Sequence, residues 1–341
     1  MDEVLIESLP DDVLASLEVR DRWRSRVARP GGGLEFIVTD LARWQPGSTV
    51  RVAFLRGDTA LHKDVAAATR QITDACNLDL DFGVDEATGE HRRWTEQDTT
   101  YAAEIRVGFD LPGFFSLVGT DSNDPTLGPP VGRVGGRPHQ RSLNLGGFTT
   151  ARPARWEGTV RHEFLHALGF HHAHQNMRGP CENEFRWEDD PDYVPTQDPR
   201  GVFVPDANGR RPGVYTFLAG APNFWPRQKV DHNLRTGNPP DVVAGPFDRK
   251  SVMLYSFAPF FYSTSPSPCA PMGNGLDLSD LDRRGLRLLY PDVEAGIADI
   301  AMRANRALSQ LNGGQESIRV AHPAQEDRVL ELLTGLATTR A

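Results

Sequence analysis

Cysteine is scarce in this chain. Cys76, Cys181 and Cys269 are the three among 341 residues, and no two share a C-x-x-C spacing. That excludes a disulfide-built scaffold and leaves room for one bridge and one odd thiol. Lysine is as rare, at Lys63, Lys229 and Lys250, so arginine carries nearly all the positive charge. With 37 basic against 46 acidic residues the net charge is −9, the wrong sign for a protein whose main partner is a phosphate backbone. Nucleic acid is excluded as that partner. No apolar run approaches the roughly 20 residues of a bilayer-spanning helix, so no membrane span is expected. The opening Met1-Asp2-Glu3-Val4-Leu5-Ile6-Glu7 has neither the basic start nor the long apolar stretch of a secretory signal. Localisation stays open on these grounds: the chain either begins after processing or is made without a signal.

What is present is ordinary globular material, 39% hydrophobic and 24% charged, enough for one large domain with appendages or two modest ones. Residues 1–43 read as an N-terminal helical extension. Val13, Leu14 and Leu17 follow an acidic start, a basic stretch runs from Arg20 to Arg29, and Pro30-Gly31-Gly32-Gly33 breaks the pattern. From Trp44 onward strands are expected at 49–55, 104–109 and 141–145, and a helix from Leu61 to Cys76 on the spacing of Val65, Ala68, Ile72 and Ala75. Between 175 and 275 regularity gives way to Pro, Gly, Asn and Asp. Recurring Trp187, Tyr193, Phe217, Trp225 and Phe247 predict an irregular but packed region there. Ser279 stands three residues before Asp282, as in a capping box, and Pro291 stops the helix it opens. Beyond it, the spacing of Ile297, Ile300, Ala304, Leu308 and Leu311 and an apolar cluster from Val329 to Leu336 make 292–341 a C-terminal helical extension.

Chemistry concentrates in His162-Glu163-Phe164-Leu165-His166-Ala167-Leu168-Gly169-Phe170-His171-His172. On a helix His162 and His166 lie one turn apart and face the same way, so two imidazoles can converge on one zinc ion while Glu163 stands beside it without ligating. Gly169 comes where the helix must stop, since glycine accepts the positive φ of a C-terminal cap. The chain can then swing back to deliver His172 as third ligand, with His171 and His174 as competitors, and a fourth position remains for water. At this chain's own composition H-E-x-x-H arises by accident about once in 70 such sequences, and the extended form about once in tens of thousands. A structural zinc site is the other reading, but such sites usually hold four protein ligands and are rich in cysteine.

The pattern His162, Glu163, His166, Gly169, His172 resembles the metzincin zinc proteases, whose second hallmark is a methionine-containing turn beneath the metal. Ser251-Val252-Met253-Leu254-Tyr255 is similar to that turn, and a tyrosine two residues past the methionine resembles the astacin form. The resemblance covers 44–291 and implies an α+β, zincin-like, two-lobed catalytic domain between helical N- and C-terminal extensions. It implies one catalytic Zn2+ on His162, His166 and His172, with Met253 structural beneath it. The implied activity is a zinc endopeptidase, hydrolysing peptide bonds of proteins through a zinc-bound water. Glu163 would be general base and the Tyr255 hydroxyl would help stabilise the oxyanion. Ser142, Leu143, Asn144 and Leu145 would form the edge strand on which a peptide substrate lies.

Three departures qualify the resemblance. Astacins place a glutamate directly after the third histidine, to pair with the mature amino terminus, but Ala173 stands here. Their two disulfides cannot both form here; if any pair is bridged it is Cys181 with Cys269, which flank the methionine turn, and Cys76 is expected as a buried free thiol. Astacin propeptides inhibit with an aspartate on the zinc; Asp11, Asp12 and Asp21 are the candidates in a propeptide-like segment 1–43, without the family's surrounding motif. Serralysins share the tyrosine after the methionine but carry a Gly-rich calcium-binding array that is absent here. From another class, the rival reading is a zinc-holding peptide-binding module whose turnover is lost or latent. Most of the family is secreted.

Overall fold

The computed structural model describes residues 7–27, 41–236, 245–313 and 323–339. They group into two compact units. One, of 9–27, 41–171, 275–313 and 323–339, carries the main sheet; the other consists of 7–8, 172–236 and 245–274.

The sheet unit opens with helix α1 (Asp11–Val27). Its main sheet has five strands, β1 (Thr49–Phe54), β2 (Asp79–Asp81), β3 (Ile105–Gly108), β4 (Phe114–Ser116) and β5 (Leu143–Leu145), in the order β2-β1-β3-β5-β4. All pairings are parallel except β4 with β5, where Phe115 faces Asn144. The helix expected from Leu61 to Cys76 is broken at Thr69 into α2 (Thr59–Ala68) and α3 (Arg70–Thr73), and Asp58 caps the first by accepting the Leu61 N–H at 2.7 Å. Helix α4 (Trp156–Ala167) carries the histidine motif. Later in the chain come α8 (Asp280–Leu289), α9 (Glu294–Gly313) and α10 (Pro323–Ala337). The capping box at Ser279 forms as expected, with Asp282 returning the bond. Ile300, Ala304 and Ala307 of α9 bury themselves against Val329, Leu333 and Leu336 of α10 and against Leu41. Among the described residues no helix is long and apolar enough to cross a membrane.

The alternation in β3 and β5 does not turn polar side chains outward. Arg106, Ser142 and Asn144 are fully buried. The Arg106 guanidinium donates to the carbonyls of Gln140, Ala103, Glu104 and Ser122 and to Asn123 Oδ1. Burial lowers its pKa to about 10, so it stays charged at neutrality and ties the 119–141 loops to the sheet. Backbone carbonyls that cannot reach water thus find a donor.

The second unit is more regular than its composition suggests. It contains α5 (Cys181–Glu184), a small hairpin of β6 (Thr196–Gln197) with β7 (Phe203–Val204), α6 (Val214–Ala219) and α7 (Arg227–Leu234). Phe185, Leu218, Trp225, Val230, Leu234, Phe257, Phe261 and Tyr262 form its core with the Cys181–Cys269 disulfide, the pair expected from the sequence. Cys76 is free and half-buried, not fully buried, and burial pushes its thiol up to about 11.

Two predictions follow from these features. The bridge spans a sequence separation of 88, and on loop-closure entropy it stabilises by about 4 kcal/mol. Converting Cys181 and Cys269 together to serine should lower the guanidinium midpoint of this unit's tryptophan signal markedly, while Cys76→Ser leaves it in place; coincident curves for all three proteins would refute the assignment. The other concerns His62, which is buried against Phe54 with ring centroids 4.1 Å apart and keeps Nε2 2.8 Å from the Arg56 carbonyl. Burial lowers its pKa to about 4, with Arg93 and His91 adding to the effect and Asp58 opposing it. The unfolded chain takes up this proton near 6.5 and the folded chain only near 4, so stability is full above about 6.5 and declines as pH falls toward 4. Between pH 7.5 and 4.5 the wild type should lose about 2 kcal/mol more than His62→Phe in urea titrations; equal losses would remove His62 from the account.

Candidate metal centre

Helix α4 is held from several sides within the sheet unit. A Cβ at Gly158 would stand 1.9 Å from the Gly275 carbonyl oxygen, so only glycine permits that approach. Arg161 donates to the carbonyls of Ala68 and Leu276. His162 and His166 follow one turn apart, with ring centroids 4.9 Å from each other, and both are buried. Glu163 is 1% exposed.

The helix must end within a residue or two of His166, and its last carbonyls then lack intrahelical partners. Each of the following is met. Leu165 O accepts from Leu168 N and Phe170 N, His166 O from Gly169 N, Ala167 O from the Trp44 indole at 2.8 Å, and Leu168 O from the Tyr290 hydroxyl at 2.7 Å. Tyr290 is fully buried, and burial raises its pKa, which keeps the phenol a donor. Gly169 has φ 94°, the left-handed cap expected of it. The reversal brings the Phe170 carbonyl 2.7 Å from His166 Nδ1. With Nδ1–H donating there, Nε2 presents its lone pair, the arrangement that orients a metal-ligating histidine.

In the second unit His172 is followed by Ala173, whose N–H donates to the Met253 carbonyl at 2.9 Å. Met253 is 2% exposed, and its own N–H is held by Ser251 Oγ. The methionine turn is therefore tied to the backbone next to the third histidine. The Tyr255 ring lies 4.4 Å from His172 and 4.9 Å from His174 by centroids. His174 is buried with Nε2 2.9 Å from the Asn233 carbonyl, and His171 is exposed.

Among the described residues one group could hold a metal ion: Glu7, His162, His166 and His172. Three imidazoles and one carboxylate suit a single zinc ion in tetrahedral coordination. The three histidines expected from the spacing belong to this group, and the competitors His171 and His174 do not. Glu7 was not foreseen. Asp11, Asp12 and Asp21 are absent from the group: Asp12 accepts the Val13 N–H in the first turn of α1, and Asp21 pairs with Arg20.

The substrate-strand expectation needs a correction. Ser142, Leu143, Asn144 and Leu145 are fully buried, and β5 lies between β3 and β4, so the strand has no free edge. Asn144 spends its amide on the carbonyls of Leu111 and Gly113, and Ser142 Oγ accepts the Arg106 N–H. The antiparallel edge strand is β4.

No family model and no curated protein matches this chain. Among solved structures it is similar to myroilysin, with 24% identity, a TM-score of 0.50, and coverage of 75% of this chain and 98% of that one. A second crystal structure of myroilysin matches at 22% identity over 73% and 86% of the two chains, with a TM-score of 0.42. High choriolytic enzyme 1, a hatching enzyme zinc-protease from the medaka fish Oryzias latipes, matches at 16% identity over 73% and 94%, with a TM-score of 0.38. The first comparison carries the fold. This chain folds as myroilysin does, in the α+β arrangement that the resemblance to astacin-like metzincins implies.

Proposed function

We propose that this chain is a zinc endopeptidase of astacin-like type acting on peptide bonds of proteins, with 44–291 as its catalytic part. The observation that supports it is that His162, His166 and His172 belong to one group that could hold a metal ion, with Glu163 next to the first of them on a helix that ends at once after its second histidine. Zinc held there supplies a Lewis acid that polarises a carbonyl and acidifies water. Glu163, which follows a ligand on the same helix, takes a proton from the attacking water onto its carboxylate and returns it to the departing amine nitrogen. Tyr255 donates its hydroxyl hydrogen toward the oxygen that gains charge. A peptide pairing by its backbone would use β4, the antiparallel one of the two edge strands in the sheet order.

A second reading, a zinc-holding module that is latent, is favoured by one observation: the Glu7 carboxylate stands 3.3 Å from His172 Nε2 and belongs to the same candidate group. Casein hydrolysis with and without chelator, before and after removal of the N-terminal segment, separates the two. Zinc retained without cleavage in any form would select the module.

Metal analysis should find one zinc per chain, falling well below one in His166→Ala. Glu163→Gln should keep its zinc and lose at least a thousandfold in kcat, because an amide cannot accept the proton. Hydrolysis near the wild-type rate by the zinc-loaded variant would overturn the assignment of Glu163. Tyr255→Phe should lower kcat about ten- to a hundredfold with little change in KM; an unchanged kcat would leave Tyr255 as a core residue.

A further inference from the structure

In the sheet order the chain leaves β1 through α2 toward β2 on one flank, whereas β3 continues into strands on the other. Where parallel strands part in this way a gap opens outside their carboxyl ends, and ligands bind there. The two turns at that place are 55–58 after β1 and 109–113 after β3. The first is held in an uncommon backbone form. Arg56 has φ 63° and Gly57 φ 74°, although asparagine or glycine takes a positive φ with less strain than arginine does. The Arg56 carbonyl lies 2.6 Å from Arg93 Nη1 and 2.8 Å from His62 Nε2, and a Cβ at Gly57 would stand 2.9 Å from that imidazole nitrogen. A residue kept in a strained form by such a frame points to function. What the turn presents is the Arg56 guanidinium, with one nitrogen 4.0 Å from Asp110 Oδ2 in the second turn.

Asp110 is already heavily engaged. Buried Arg141 meets it with two nitrogens at 2.8 and 2.7 Å, and Arg133 Nη2 stands 2.5 Å from its Oδ2. Glu96 pairs with Arg141 and Arg133 as well. Arg93 donates to the carbonyls of Arg56 and Gly57, which satisfy its hydrogens without neutralising its charge. Four guanidinium groups therefore stand around two carboxylates, in a chain whose net charge is −9. The carboxylate of Asp58, next along the turn, is directed to the Leu61 N–H of α2. Exposure sharpens the imbalance: the Arg56 and Arg133 side chains are 63% and 51% exposed and Arg93 is exposed too, against 33% and 12% for Glu96 and Asp110. We propose that this cluster docks acidic polypeptide segments, at a site that shares no residue with the metal group. A single small oxyanion would have to displace the Asp110 carboxylate from the centre of the cluster. A chain with carboxylates at intervals instead adds to the rim, where Arg56, Arg93 and Arg133 come from three stretches of backbone, and it meets guanidinium groups that the fold has already drawn together. The inference does not rest on the zinc-hydrolase reading.

The test reads binding and not hydrolysis. A short fluorescent peptide alternating glutamate with glycine is titrated with the full zinc-loaded chain carrying Glu163→Gln, beside the same peptide with glutamine for glutamate. The glutamate peptide should bind, less tightly as salt is raised, and the glutamine peptide should not. Exposed ion pairs are individually weak, so adding Arg56→Asn should raise Kd about threefold, and Arg56→Asn with Arg133→Gln about tenfold. Asparagine tolerates a positive φ, so Arg56→Asn should keep the parent's urea midpoint, and Arg56→Lys should recover most of the lost affinity. Arg287→Gln, which removes an exposed charge on α8 outside the cluster, should leave Kd unchanged. An unchanged Kd in folded Arg56→Asn, equal binding of the glutamine peptide, or an equal loss in Arg287→Gln would overturn the proposal. So would displacement of the peptide by inorganic phosphate at constant ionic strength, which would mark a site for one small oxyanion. Casein hydrolysis is scored separately, so the docking site and the protease reading stand or fall apart.

Discussion

Helix α4 has to stop immediately after its second histidine, and much of the sheet unit is arranged to let it. A helix end exposes carbonyls, and burying them without donors costs on the order of 1–3 kcal/mol each. Here the donors come from far along the chain: the Trp44 indole for Ala167 O and the Tyr290 hydroxyl for Leu168 O. Gly169 supplies the left-handed turn with φ 94°, a backbone conformation that a side chain would strain. The same reversal aims the Phe170 carbonyl at His166 Nδ1, so the termination of the helix and the orientation of a ligand are one event.

The second unit answers a different constraint. It has little regular structure with which to hold His172 and Met253, yet the two are joined through the Ala173 to Met253 backbone bond. Rigidity comes instead from aromatic packing. Phe257 meets Phe185, Phe261 and Tyr255 at centroid distances of 4.9, 5.5 and 5.7 Å, and the disulfide closes the long excursion between Cys181 and Cys269. Aromatic pairs of this kind contribute roughly 0.5–1.5 kcal/mol each beyond their buried area.

Features written in local spacing were legible in the sequence. The two histidines at helical distance, the glycine that ends their helix and the Ser279 box are each expected from residues close together, and the Cys181–Cys269 pairing only as the pair to expect if any is bridged. Features set by long-range partners were not. Nothing near Glu7 marks it as a companion of His172, 165 positions away. The edge at 141–145 is implied by the resemblance alone, and the alternation there reports two faces and not which of them meets water. Arg106 and the carbonyls of Leu111 and Gly113 make the polar face of that region an interior one.

Tyr290 joins three separated stretches of backbone. Its hydroxyl donates to Leu168 O, stands 3.4 Å from Trp44 N, and its own carbonyl accepts from Asn77 N. Arg43 reaches the neighbouring Leu289 carbonyl, and Thr120 Oγ1 bonds the Leu41 carbonyl. For anyone shortening this protein for crystallisation or library display, the safe left-hand boundary is therefore set by hydrogen bonding and not by the first strand. A fragment beginning at residue 44 would discard the carbonyl that holds Thr120 and the guanidinium beside Tyr290. Its missing partners would be felt at the end of α4, where the geometry of His166 is decided.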